Sequence, residues 1–422
     1  MGLIGKLERT NNRVCPWWLC YSFDNPLRRI FHKPELLLNP YLKSGMTAVD
    51  IGCGMGYFTL GLAKLAGSMG DFGTLFPLAI GYIAVCGLDP AGFLVMMGLA
   101  NVATGLIYKL PMPIEPMKVL AVVAIAQRWM PSLIYASGFA MGLVWVLFAA
   151  TGIIGRLAKI TPKSVVRGIQ ATLGIMLAVE AVKMIATGWF LGVVAIAIVL
   201  VLRQSRYAPA AVVLMLLGIT IVAFQGRLPS ADLIRFTPPP LTGFSPREVW
   251  DSLVLAGFAQ IPLTITNATI ATAALIGSYF PDRPVGVGKL SWNQGVMNLV
   301  LPFFGGMPMC HGSGGLAGQY YFGARTGGTN LIEGAIEIAL GLFFAAAIAG
   351  LFAAFPTAII GAMMFLVGIE LTKFARDVRP GRDLIPLLLT VAVSLLANMA
   401  VGFAAGLAIH YGMEKWREKP VQ

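Results

Sequence analysis

The sequence predicts an all-α polytopic membrane protein, a seven-plus-seven transmembrane inverted repeat with two discontinuous half-helices. Three observations predict it. The 422 residues are 57% hydrophobic and 12% charged, where a soluble domain carries about 25% charged residues. From about Phe72 onward, apolar stretches near the ~20 residues that cross a bilayer follow one another with short polar breaks. Two stretches also repeat each other at an offset of 197: Asn101, Pro111 and Met112 recur as Asn298, Pro308 and Met309, each time interrupting an apolar run.

The segments fall in order at 71–88, 91–109, a short one at 114–126, 131–153, 163–187, 190–203 and 209–225. After a polar connection they resume at 249–277, 288–304, a short one at 311–323, 331–354, 356–373, 384–398 and 400–414. The third segment of each half is short and follows the interruption. Pro162 with Gly174, and Pro356 with Gly368, mark the fifth segment of each half, and Pro77 and Pro262 mark the first. An odd number of segments per repeat inverts the second copy relative to the first, and paired interruptions point to a transporter whose site lies where the helices break. The expected organisation is 1–66 as a separate fragment, 67–226 and 248–416 as the repeats, 227–247 as connecting loop and 417–422 as tail.

The net charge of +12 lies mostly in loops and tails, where a membrane topology puts it, so no nucleic-acid partner is expected. Arg156, Lys159, Lys163 and Arg167, then Lys373, Arg376, Arg379 and Arg382, and the tail Lys415, Arg417 and Lys419 occupy connections on one side. Those are cytoplasmic if both termini are, which places the chain in an inner or plasma membrane. Arg227 and Arg235 in the long central loop are the exception. The five cysteines (Cys15, Cys20, Cys53, Cys86, Cys310) show no CxxC and no metal spacing, so they read as small buried or free thiols. The first 60 residues hold no signal-peptide apolar core.

Residues 1–66 differ in kind from the rest. Asp50, Gly52, Gly54 and Gly56 form a strand–glycine turn–helix pattern, and Asn25-Pro-Leu-Arg-Arg precedes it. Together they resemble the first strand and loop of class I S-adenosylmethionine-dependent methyltransferases. The resemblance ends where the membrane region begins, before the second strand with the acidic residue that holds the ribose. A single βα unit cannot complete a sheet, so this is expected to be a cytoplasmic, inactive fragment with no cofactor, and a membrane-fused methyltransferase is the enzyme-class alternative.

The chemistry is expected at the two interruptions. Pro111, Pro113 and Pro116 remove backbone donors and force extended geometry, so a helix should begin near Pro116 with free N–H groups. In the second, Gly312, Gly314 and Gly315 leave backbone N–H groups open to approach. Two opposed helix N-termini make an anion site.

Three stretches resemble the molybdate transporter family, relatives of the SulP sulfate permeases: Gly70 to Pro77, Pro111 to Lys118 and Gly305 to Gly327. The resemblance covers about 67–415 and implies the seven-plus-seven fold shared with SulP and uracil-permease proteins. It implies molybdate or a similar tetrahedral oxyanion as substrate, with sulfate, tungstate or a nucleobase as alternatives. Protons are the coupling ion to be tested, and a homodimer the assembly. Where the family pattern leads one to expect Gln, this chain has Glu115, and a carboxylate beside an oxyanion is unfavourable unless protonated, paired or turned away.

Several candidates have more than one reading. Lys118 either binds the anion or snorkels to an interface. His311 is a donor, a proton carrier or a structural histidine. Glu115 pairs with Lys118 at i, i+3 or takes part in proton coupling. Asp71, Thr74, Gln260, Thr266 and Asn267 face the site from the first segment of each repeat or bridge helices. Gly312, Ser313, Gly314 and Gln319 complete the candidate substrate site. Arg325 reads as an interface anchor and the methionines as core filling. Isothermal titration of the purified chain with S-adenosylmethionine is expected to give no heat of binding; micromolar affinity would overturn the fragment reading.

Overall fold

The computed structural model describes residues 77–202, 210–321, 323–378 and 381–417. Asp50, Gly52, Gly54, Gly56, Asp71 and Thr74 lie outside the described residues.

The first segment ends in a wide π turn, Gly81–Val85. Then come α1 (Pro90–Tyr108), β1 (Ile114–Pro116), α2 (Lys118–Gln127), α3 (Pro131–Thr151), a short α4 (Ile154–Ile160), α5 (Lys163–Ala186), α6 (Trp189–Leu202) and α7 (Ala210–Phe224). The second half holds α8 (Pro246–Tyr279), α9 (Val287–Val300), β2 (Met309–His311), α10 (Ser313–Tyr321), α11 (Gly328–Ala354), α12 (Thr357–Lys373), α13 (Leu384–Leu396) and α14 (Met399–Arg417). α1, α3, α5, α8, α11 and α12 are long and apolar enough to cross a membrane. With 10 and 9 residues, α2 and α10 rise only about 15 Å, half of a ~30 Å hydrocarbon core. They are the expected half-helices.

Local sequence accounts for the ends and bends. Asp89 caps α1 by accepting from the Gly92 N–H at 2.9 Å, with Pro90 at the first helical position. α8 opens on a capping box between Ser245 and Glu248. Inside α8, Pro262 cannot donate to the helix ladder, and π turns lie on both sides, Leu253–Gly257 and Thr264–Ala271. The first segment of each half therefore pairs a proline with a π turn.

The packing exchanges the two halves. α1 packs on α11, the second segment of one repeat on the fourth of the other, and α9 packs on α3 in the reverse sense. α5 packs on α12, fifth segment on fifth. At that crossing the predicted pair Gly174 and Gly368 meet. A Cβ on Gly174 would lie 2.6 Å from the Gly368 carbonyl oxygen, and one on Gly368 would lie 2.9 Å from that of Gly174. Gly98 and Gly295, again 197 apart, hold the other two crossings: a Cβ at Gly98 would lie 2.6 Å from the Gly334 oxygen, and one at Gly295 2.8 Å from the Val146 nitrogen. Small residues let the backbones approach where apolar burial gives helices no preference for each other over lipid. α1–α3 and α8–α11 form one bundle, and α5–α7 with α12–α14 the other.

Two boundaries differ from expectation. α2 begins at Lys118 rather than near Pro116, and α10 at Ser313 rather than 311. The reason is that each interruption continues as a strand and pairs with the other before its helix starts. Gly174→Ala is expected to lower stability by about 1–3 kcal/mol by forcing the α5–α12 crossing apart. Gly277→Ala, where nothing lies within 4 Å of the added methyl, should not. Thermal unfolding in detergent checks it, and equal losses at the two positions would contradict the crossing.

Candidate functional site

β1 and β2 pair antiparallel at the point where both broken segments resume, with Ile114 opposite His311, Glu115 opposite Cys310 and Pro116 opposite Met309. The Met117 N–H adds a bond to the Pro308 carbonyl at 2.9 Å. Non-helical backbone at membrane depth has to satisfy its polar groups within the protein, and here each interruption supplies the other's partner. Asparagines hold the approaches. Asn298 accepts from the Met309 N–H at 2.8 Å and donates to its carbonyl at 2.6 Å. The corresponding Met112 is held in the same way by Asn330, at 2.9 and 2.6 Å, while Asn101 accepts from Asn330 at 3.0 Å. The matching asparagines of the two halves thus do different work: Asn298 binds its own interruption, and Asn101 acts through a residue of the opposite repeat.

From this crossing the two half-helices set out, each with its first amides taken by a side chain from elsewhere. Gln260 of α8 accepts from the Val119 N–H at 2.7 Å and reaches the Leu120 N–H at 3.4 Å, while its amide donates to Thr264 at 2.6 Å. Glu115 of β1 does the same for α10, accepting from the Gly315 N–H at 3.0 Å through Oε1. Its Oε2 accepts from Lys118 Nζ at 2.6 Å. Glu115 is only 2% exposed, and Lys118 keeps 19% of its side chain exposed. Lys118 therefore engages Glu115, the i, i+3 pairing expected from sequence.

Gly312 makes this arrangement sterically accessible. A Cβ there would fall 1.6 Å from Glu115 Oε1, so any other residue would expel the carboxylate from the α10 N-terminus. Nothing lies within 4 Å of where a Cβ on Gly314 would sit, which leaves that turn of α10 open on this side. Ser313 donates to Asn267 Oδ1 at 2.6 Å, tying α10 to the π turn of α8. His311 is fully buried, its ring edge-on to Tyr108 with centroids 5.7 Å apart.

The structure thus brings Glu115, Lys118, Gln260, Asn267, His311, Gly312, Ser313 and Gly314 to one crossing. Thr266 turns back onto the Pro262 and Leu263 carbonyls and does not join them. Gln319, further along α10, donates to Glu333 at 3.1 Å. Arg325 lies over the Tyr320 ring at 3.6 Å and donates to the Tyr320 and Ala324 carbonyls, closing the C-terminal end of α10. Sequence reasoning passed over Glu333 and Glu337. Two carboxylates inside the apolar run 331–354 were the signal that would have found them.

Two halves packed by exchange, with broken helices meeting where the halves cross, define an inverted-repeat membrane transporter. A family model described as "Molybdate transporter of MFS superfamily" matches residues 63–177 and 252–371, and the chain belongs to that family. "Molybdate transporter 1" of Arabidopsis thaliana is 32% identical over 395 residues, covering 82% of this chain and 86% of the relative. Among solved structures, SLC26A9 matches with TM-score 0.66 at 11% identity, covering 97% of this chain and 73% of that one. The transmembrane domain of the cyanobacterial bicarbonate transporter BicA matches with TM-score 0.60 at 17% identity, covering 82% and 96%. The fold is that of these two structures, despite the superfamily in the family's description: an MFS protein repeats its halves in parallel.

Gln260→Leu is expected to cost about 1–3 kcal/mol, because it strips two buried amides of their acceptor at the start of α2. The unfolding midpoint in detergent checks this, and an unchanged midpoint would refute the cap.

Proposed function

We propose that this chain carries molybdate across a membrane by alternating access, binding the dianion between the N-termini of α2 and α10. The observation that carries the reading is the position of Glu115. A carboxylate already stands at the α10 amides with a lysine as counter-ion, so the crossing is built to hold negative charge. Glu115 supplies that charge. An arriving oxyanion competes for the same two donors, the Gly315 N–H and Lys118 Nζ, and turns the carboxylate away. Four tetrahedral oxygens suit such a site, since its donors converge from a helix end and a side chain rather than in one plane. The names of the Arabidopsis relatives support molybdate as the substrate.

The bundle of α1–α3 and α8–α11 carries the site and moves against α5–α7 and α12–α14, exposing it to one side and then the other. Both termini are cytoplasmic on the charge pattern of the connections, and residues 1–66 take no part in transport. Sulfate and tungstate share the shape and charge of molybdate, so selectivity rests on size and hydration.

Lys118→Ala is expected to abolish uptake of labelled molybdate into cells or vesicles. Glu115→Gln keeps the shape of the side chain, removes its competing charge and lowers the concentration for half-maximal uptake. Wild-type uptake by the lysine variant would sink the site. Competition by sulfate and tungstate but not uracil separates an oxyanion site from a nucleobase site.

A further inference from the structure

Two glutamates of α11 lie four residues apart, the first of them in contact with Gln319 of α10. Glu333 is 5% exposed and Glu337 6%. Neither has a lysine, arginine or histidine partner among the described residues. Residues at i and i+4 are neighbours on a helix, so two ionised carboxylates here repel each other in a medium that solvates neither. Glu115 adds a third negative charge that acts on Glu333, offset by its own Lys118. Among the described residues, the helices packed against α11 supply no cation, and Arg235 lies in the central loop that bonds to Phe343, beyond Glu337. α1, α7 and the π turn at Gly81–Val85 hold no charged residue, Tyr82 and Tyr108 being their titratable groups. Asp232 belongs to the short turn beside Gly350, at the far end of α11.

The surrounding polar groups give a second, independent indication. Gln319 donates to Glu333 through Nε2, but its Oε1, fully buried, has no hydrogen-bond partner. Thr329, one turn before Glu333 and fully buried, has an equally unpartnered hydroxyl. Such groups are costly unless something else completes them. The Gln319 amide can serve either protonation state: it donates to an ionised Glu333, and turned over it accepts from a protonated one. The groups seen to contact the two carboxylates are amide N–H donors, Gln319 on Glu333 and Asn101 on Glu337 at 2.8 Å.

We propose that Glu333 and Glu337 share a proton that is taken up and released with the transported anion, which makes the protein a proton-coupled transporter. The proposal rests on the crossing as the anion site. Two connections link the sites. Gln319 lies on the half-helix whose N-terminus faces the anion, so a shift of α10 on loading changes the bond to Glu333. Glu337 is joined through Asn101 and Asn330 to the Met112 backbone, at the first interruption. Adding a dianion nearby raises the free energy of every ionised carboxylate around it, and by linkage a proton on the pair favours the anion in return.

The test uses the full chain in liposomes containing a pH-sensitive dye, with labelled molybdate. In the wild type, molybdate entry carries protons with it, and an inward gradient of about one pH unit raises accumulation up to about tenfold per coupled proton. Glu333→Gln and Glu337→Gln lose that stimulation and the proton movement but retain molybdate counterflow, which needs no net proton transfer. Glu337→Asp, which keeps a titratable group, retains the stimulation. A pair serving only packing would reduce counterflow and gradient-driven uptake together, and that result overturns the proposal. So does stimulation that survives in both Gln variants, and so does drive by a sodium gradient in place of a proton gradient. Wild-type counterflow without proton movement overturns the pair and leaves the anion site standing, whereas absent counterflow overturns the site and the pair with it.

Discussion

The pairing of Ile114–Pro116 with Met309–His311 is the constraint on which the rest of the structure depends. A helix broken at membrane depth exposes N–H and C=O groups that lipid cannot satisfy, at several kcal/mol each. Neither repeat can repair its own break, because its prolines and glycines have removed the helical alternative. Each break is completed by the other, so the two halves have to be interleaved rather than side by side. The exchanged packing of α1 on α11 and α9 on α3 is the consequence, and the glycines at those crossings allow the backbones to come close enough. The half-helices then start from a fixed point with their amides facing a shared space.

Both half-helix ends are capped in trans, and the two caps differ in kind. α2 receives a neutral amide oxygen from Gln260, and α10 receives a carboxylate from Glu115. A neutral cap has no charge to exchange with a dianion, whereas a carboxylate can be replaced by one without leaving the helix end bare. On the proposed reading, substrate and side chain compete for the same partial positive charge. An unpaired Lys118 beside two helix N-termini would be expensive in a low-dielectric region; Glu115 removes that cost.

Much of this was legible in the sequence, and the particular residues show why the remainder was not. The two interruptions, the short third segments and the Gly174–Gly368 correspondence all follow from residues whose backbone properties are local: proline removes a donor and glycine removes a Cβ. Pairing of the interruptions is not local. Nothing in the order of residues says that Glu115 lies opposite Cys310, so the sequence puts the start of α2 about two residues early and does not show that Gln260 caps that helix. The Glu115–Lys118 bridge was legible because i, i+3 spacing is a property of one short stretch. Gln319 was drawn into the site by its place in the motif, although helical geometry turns it toward α11. Glu333 and Glu337 were visible as charges in an apolar run, but their meaning depends on Asn101 and Gln319, which reach them from other segments.

The two interruptions differ in composition because they have complementary tasks at one crossing. The first is rich in proline, which fixes an extended path and carries side chains outward, so it supplies chemical groups: a carboxylate and a cation three residues apart. The second is rich in glycine and supplies room and bare amides, with Gly312 admitting the Glu115 carboxylate and Gly315 donating to it. Exchange these compositions and the site fails in both directions. A side chain at 312 would strike Glu115, and glycine at 115 would leave the α10 amides without the carboxylate. A duplicated element has thus been divided into a half that offers charge and a half that makes space for it. That division resolves the difficulty a carboxylate poses beside an anion site. On the proposed reading Glu115 occupies the place of the oxyanion, and Gly312 is the reason it fits.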